Sequence, residues 1–513
     1  MRTHLISTSR LSVILALVGV LAPQPAFGDR SLPLLAEDFQ VLQRDSEDKA
    51  VCLINVDGLT EGEARFDVRV TSGKRTTLSV RAKASPSSNG ASAILVENIP
   101  VGGPYTVSVQ SAGAEKPELV FRNILVGDLW ILGGQSNMYG LARIEEDLPA
   151  LPRVNLFDFT HIHRTGSWCA AKPPIHRIPD MFAPGILKSQ RPGLTNEQVK
   201  QILADKIPVG GTDCSYFFAR QLVRETGVPI GLIPCAMGGS LALWDPDERD
   251  KNRYGFLYHH VLSNGGRVKG MLWYQGEQDA IFGDETETIA KPSPTKPYPT
   301  YGDEFKKFDE AMRQDFDNPK LVVLLAQICR HHGGEKQRDK AWETVRDLQR
   351  RLPEQIAHVH CVPTIDLDVM DGIHLDYASH KRLGKRMAYL AIPYTKTGVA
   401  PRTEIRLKSV ETTVETGRPA LAVEFNGVTG RLRAEGKPTG FRLRSKESGD
   451  DLNWIYKVDF DPQAPNRLIL NLSRPPSPAV ALVYGSGSCP YVNITDENDM
   501  PVPAFGPIDV PLP

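Results

Sequence analysis

A chain of 513 residues with 41% hydrophobic and 24% charged residues has a globular composition, and at about 150 residues per domain it predicts roughly three units. That balance excludes disorder, collagen and coiled coil for the bulk of the chain. A formal net charge of −1 excludes the basic excess usual in nucleic-acid binders, and 43 Gly with 40 Pro point to many turns.

Residues 1–28 read as a cleavable leader. Arg2 and Arg10 form a positive segment ahead of an apolar run from Leu11 to Leu21, and Ala26-Phe27-Gly28 offers small residues for a cut before Asp29. The run is short for a membrane span, so a secreted or periplasmic protein is expected, with an uncleaved anchor as the alternative. Seven cysteines (52, 169, 214, 235, 329, 361 and 489) show no CxxC or metal-type spacing, and their odd number leaves at least one unpaired. Export permits disulfides, buried free thiols are the other reading, and spacing does not choose between them.

From 29 to 122 short alternating strings (AVCLINVDG, ARFDVRVTSG, TTLSVRAK, SAILVENIP, YTVSVQSAG) separated by turn residues predict a β-sandwich-like domain. From 123 to 399 apolar strand runs (ILVGDLWIL, VPIGLIP, VKGMLWY, KLVVLLAQI) alternate with helical stretches such as CSYFFARQLVRETG and DKAWETVRDLQRRL. That rhythm predicts an α/β layer with a parallel sheet and helices on both faces. Within it, 141–210 and 283–300 read as long insertions that would shape a site. From 400 to 513 strand strings return (TEIRLKSV, ALAVEFNG, NRLILNLS, AVALVYG), predicting a second β domain.

Chemistry gathers in four loops of the α/β region. Gly133-Gly134-Gln135-Ser136-Asn137-Met138 follows a strand run and sets a serine hydroxyl at a strand-to-helix junction, where helix N–H groups face any oxyanion. It is not a G-x-S-x-G elbow, since Met138 stands at the last position, and alone it could be an N-cap turn. Met237-Gly238-Gly239-Ser240 ends another strand, and its glycines let a backbone N–H approach a ligand closely. Trp273-Tyr274-Gln275-Gly276-Glu277 would point the Gln275 amide above the sheet. Asp371-Gly372-Ile373-His374 spaces a carboxylate three residues from an imidazole it could hold in one tautomer, with Asp368 and Asp376 as nearby competitors. Strand C-terminal edges are where open α/β sheets assemble sites.

The strings GDLWILGGQSNM, VPIGLIPCAMGGS, WYQGEQDA and DGIHLDYASHKRLGKRMA, in that order, resemble the sialate O-acetylesterase-related group of SGNH hydrolases, whose relatives include acetylxylan esterases. FQVLQR at 39–44 and YGSGSCPYVNITDENDMPVPAF at 484–505 extend the resemblance over nearly the whole mature chain. It implies a flavodoxin-like SGNH sheet, with Ser136 as nucleophile, His374 as base and Asp371 as its orienting acid. It further implies oxyanion donors at Ser136 N–H, Gly238 or Gly239 N–H, and Gln275. No metal or organic cofactor is needed, and the expected partner is an acetylated carbohydrate. Asn137 and, on the loop after GGS, Trp244 are the expected substrate contacts. His331-His332 lacks a spaced partner and reads as a polar loop. The different-class alternative is a non-catalytic carbohydrate-binding protein on the same scaffold. A lipase would need a greasy acyl pocket, whereas these loops are polar and Pro-rich.

Overall fold

The computed structural model describes residues 32–511 except 60–64, 87–91, 161–164, 177–182, 191–192, 205–209, 250, 283–299, 334–335, 397 and 477–478. The expected leader and nearly all of the 283–300 segment lie outside the described residues. No helix among the described residues is long and apolar enough to cross a membrane.

Strands in the N-terminal part are β1 (Val41–Gln43), β2 (Lys49–Asn55), β3 (Arg65–Ser72), β4 (Arg75–Lys83), β5 (Ser85–Pro86), β6 (Ser92–Pro100) and β7 (Gly102–Ser111). β3 alternates buried Phe66, Val68 and Val70 with more exposed neighbours, as a sheet with one core face requires. β8 (Leu119–Gly134) follows, then β9 (Val154–Thr160), β10 (Thr165–Ala170), β11 (Ile230–Pro234), β12 (Gly270–Tyr274), β13 (Val322–Gln327) and β14 (Val359–Pro363).

The central sheet runs β10-β9-β11-β8-β12-β13-β14, parallel throughout except for the antiparallel β10 edge. β11 to β14 are buried along their whole length, because helices cover both faces of such a sheet and leave no polar side. Two features depart from the expected layout. The joint expected at 122/123 falls inside β8, whose first half pairs antiparallel with β7 and whose second half is the central parallel strand. Part of the expected 141–210 insertion is sheet, since β9 pairs in parallel with β11 and extends the layer.

The helices are α1 (Ser136–Tyr139), α2 (Ala183–Gln190), α3 (Asn196–Ala204), α4 (Cys214–Thr226), α5 (Arg253–Ser263), α6 (Glu277–Phe282), α7 (Tyr301–Asp315), α8 (Lys336–Arg351) and α9 (Tyr377–Thr395). α4 shows why its ends fall where they do: the Asp213 side chain accepts from Ser215 N–H, and Gly227, at φ 72°, returns its N–H to Val223 O. After α9 the chain forms antiparallel sheets, including one of Arg406–Glu415, Arg418–Asn426, Arg467–Leu472 and Ile455–Phe460. One apolar cluster runs from Trp130 and Trp273 in the central layer to Phe441, Tyr484 and Phe505 in these later strands. The N-terminal strands enclose a separate cluster around Ile54, Phe66, Val96 and Val107. No disulfide joins any of the seven cysteines.

Candidate active site

The four chemical loops converge at the C-terminal edge of the parallel strands. β8 ends in Gly133-Gly134, and the chain turns sharply into α1. Gly134 adopts φ 130°, and a Cβ there would lie 2.1 Å from Tyr274 O on β12, so only glycine brings the turn this close to the neighbouring strand. Gln135 N–H then donates to Tyr274 O, which fixes the half-buried Ser136 at the head of α1.

His374 arrives from the loop between β14 and α9. Its Nε2 lies 2.9 Å from Ser136 Oγ, and its Nδ1 lies 2.8 Å from Asp371 Oδ2. Asp371 Oδ1 accepts the N–H groups of Ile373 and His374, both at 2.8 Å, which closes the loop around the imidazole. Burial alone would raise the Asp371 carboxyl, but the hydrogen bonds from the His374 ring and from the two amides hold it at about 2. The competing carboxylates are engaged elsewhere: Asp376 caps α9 through Ser379 N–H, and Asp368 pairs with Arg330. A hydroxyl, an imidazole and an ionised carboxylate in this order can pass a proton from the hydroxyl to the ring.

Asn137 does not face a ligand. It is 1% exposed, and its amide brackets His374. Nδ2 donates to Ile373 O at 3.3 Å and to Glu277 Oε1 at 2.7 Å, while Oδ1 accepts Leu375 N–H at 2.9 Å. The residues on either side of the histidine are thereby tied to the helix that carries the serine. Glu277, wholly buried, supplies the other end of this brace, and burial raises its carboxyl. The WYQGE string contained Glu277, but nothing in the string signalled its burial against Asn137.

Gln275 is not available as an oxyanion donor. Its side chain is fully buried, and Nε2 donates to Gly239 O at 3.1 Å and to the Asp279 carboxylate, so both amide hydrogens are occupied. Asp279 also accepts Leu241 N–H on both oxygens at 3.2 Å, so this buried pair pins the Gly238-to-Leu241 loop from beneath. Burial pushes the Asp279 carboxyl up to about 7.

The same loop is stapled to the nucleophile's turn by Met237 N–H donating to Gly134 O at 2.8 Å. Gly238 is exposed with open space at its Cβ position, and the Gly238 and Gly239 amides carry no hydrogen bond among the described residues. Ser136 N–H, at the head of α1, has no preceding turn to bond. These amides are the donors the site keeps open.

Trp244 is core rather than a substrate platform. It is 1% exposed and packs edge-on against Trp273 at 5.0 Å and Phe308 at 6.1 Å, because the chain turns inward in a short 3-10 segment at Leu241–Trp244. His331 stacks on Trp342, and His332 N–H donates to Gly372 O, tying a neighbouring loop to the Asp371 turn. No group of metal-ligating side chains forms among the described residues.

Comparison with known proteins bears on the whole assembly. A family model described as carbohydrate esterase, sialic acid-specific acetylesterase, matches residues 126–393, more than half of the chain. A probable carbohydrate esterase of Arabidopsis thaliana is 26% identical over 292 residues, covering 54% of this chain and 94% of that protein. The crystal structure of a carbohydrate acetylesterase from Xanthomonas citri superposes with a TM-score of 0.63 at 23% identity, covering 93% of this chain and 98% of the other, a likeness of fold. The matched segment spans β8 to α9, the stretch that brings Ser136 to His374, and the chain belongs to the carbohydrate esterase family of sialic acid-specific acetylesterases.

Proposed function

We propose that the chain is an exported serine esterase that removes O-acetyl groups from a glycan, with sialate or xylan esters as the candidate substrates. The observation that carries this reading is the hydrogen-bonded chain from Ser136 Oγ through His374 to Asp371. In the first step His374 Nε2 takes the Ser136 proton as Oγ attacks the acetyl carbonyl carbon. Asp371 keeps the ring in the tautomer with Nδ1 protonated and stabilises the imidazolium that forms. The carbonyl oxygen becomes an oxyanion facing the amides of Ser136 and of Gly238 or Gly239. Collapse expels the sugar oxygen, which receives the proton from His374, and leaves an acetyl-serine. Water then repeats the sequence, releasing acetate and regenerating the hydroxyl.

Hydrolysis of an aryl acetate, and acetate release from a panel of acetylated glycans, test the reading. Ser136→Ala should lower kcat by about 10⁴-fold or more. Equal rates in the two proteins would exclude Ser136 as nucleophile.

A further inference from the structure

Arg253 opens α5 in a setting that is unfavourable for a cation. It is the first residue of the helix, where the macrodipole is positive, behind the Asn252 cap that accepts Gly255 N–H. It is half-buried, and its Nε and Nη1 are shielded from solvent with no hydrogen-bond partner. Among the described residues, the acids that flank this stretch of chain have other partners: Asp245 and Asp247 pair with Lys307, and Asp315 accepts from Arg249 and from the Tyr254 hydroxyl. Burial accordingly pulls the Arg253 guanidinium below its ordinary pKa. No acid among the described residues pairs this charge, and a local rule broken without an evident structural return calls for another explanation.

Its place supplies that explanation. Nη1 packs on Gly239: a Cβ at that glycine would come within 2.1 Å of it, so the loop with the open amides makes room for the guanidinium. Tyr139, one helical turn after Ser136, lies within its electrostatic reach. Nη2 is not one of the shielded pair and makes no hydrogen bond among the described residues.

We propose that Arg253 is a specificity residue that binds the carboxylate of an acidic sugar whose O-acetyl group lies at Ser136. A guanidinium carries one positive charge and a planar set of donors that match a carboxylate, the singly charged anion of acidic glycans. A neutral sugar would leave the charge buried and unpaired, so the residue favours acidic over neutral esters.

The proposal rests on the esterase reading, and the test separates the two. kcat/KM is measured for an O-acetylated sialic acid and its methyl ester, and for an O-acetylated glucuronoside and its methyl ester. The proteins compared are wild type, Arg253→Gln and Arg253→Lys. In at least one pair wild type should prefer the free acid by about 10- to 100-fold, the usual worth of a charged hydrogen bond, and that pair identifies the acidic sugar. Arg253→Gln should bring the ratio close to one, and Arg253→Lys should keep part of it. Wild type turning over each acid no faster than its methyl ester would overturn the proposal, as would an acid preference that survives Arg253→Gln. Should Arg253→Gln fail to fold, the wild-type ratio and the Arg253→Lys value still decide. Absence of aryl acetate hydrolysis in wild type would instead remove the esterase reading itself.

Discussion

A single amide holds the proposed base against the proposed nucleophile. Asn137 binds the carbonyl before His374 and the N–H after it, and it rests on buried Glu277. Asn137→Ala would free the His374 loop and take from the Glu277 carboxyl, whose Oε2 already lacks a partner, its side-chain donor. The expected outcome is a 10- to 100-fold fall in kcat on an aryl acetate with KM little changed, since a displacement of about 1 Å costs that much in a positioned reaction. Stability should fall by about 1–3 kcal/mol in urea unfolding, the cost of stranding buried polar groups. A kcat within twofold of wild type would remove the bracket from the account. The contact between Asp371 and His374 was legible in the sequence because a spacing of three residues lets the carboxylate reach the ring, whereas the approach of Ser136 to His374 spans 238 residues and was expected only from the family resemblance. The roles of Asn137, Gln275 and Trp244 were not legible, because burial decides them. A carboxamide that would serve a ligand on a surface serves its neighbours once Asp279 or Glu277 is enclosed beside it.

The long elements owe their legibility to the same physics. A parallel strand buried on both faces has to be apolar throughout, so β11, β12 and β13 read directly as VPIGLIP, VKGMLWY and KLVVLLAQI. β9 escaped because its partner β11 lies some seventy residues downstream, and no local pattern records a pairing at that range. Helix contacts are equally non-local, and one is unusually close. At Gly384 α9 approaches α4 so nearly that a Cβ would lie 2.4 Å from Cys214 O and 2.7 Å from Phe217 Cβ. Helix propensity predicts that Gly384→Ala would stabilise α9 by about 1 kcal/mol. Overpacking against a backbone carbonyl works the other way, at about 1–3 kcal/mol, and the carbonyl cannot rotate aside as a side chain would. The net expectation is a loss of stability, seen as a lower urea midpoint with an unchanged slope. A midpoint at or above that of wild type would mean that the two helices separate easily. Because α9 begins three residues after His374, activity should decline over the same denaturant range.

At the scale of the molecule, the flanking strands are joined to the catalytic layer by backbone continuity and by buried charge. β8 carries the N-terminal sheet directly into the central one, and Arg44 grips Asp128 at 2.8 Å through two nitrogens while donating to Thr395 O at the end of α9. The later strands dock in part through Arg346 of α8, which is fully buried and whose hydrogen bonds among the described residues all go to carbonyls. Its Nε donates to Ile328 O, Nη1 to Gly487 O, and Nη2 to Cys329 O and Ser488 O, all within 3.1 Å. Sequence could place an arginine on a helix at 346 but not its partners, since a carbonyl acceptor leaves no trace in residue identity. The joint lies close to the site: His331 N–H donates to Ser488 O, and His332 N–H to Gly372 O, one residue from Asp371. Arg346→Leu fills much of the same volume and takes the donor from four carbonyls, of which Cys329 O keeps Trp342 Nε1–H and Ser488 O keeps His331 N–H while Ile328 O and Gly487 O are stranded, so it should cost about 2–5 kcal/mol. Two readouts check it. The urea midpoint should fall markedly, and kcat should fall at denaturant concentrations where secondary structure by circular dichroism is still intact, because release of 487–488 loosens the turn that carries Asp371. If unfolding and activity instead move together as one transition, Arg346 secures the whole molecule equally and has no particular hold on the Asp371 turn.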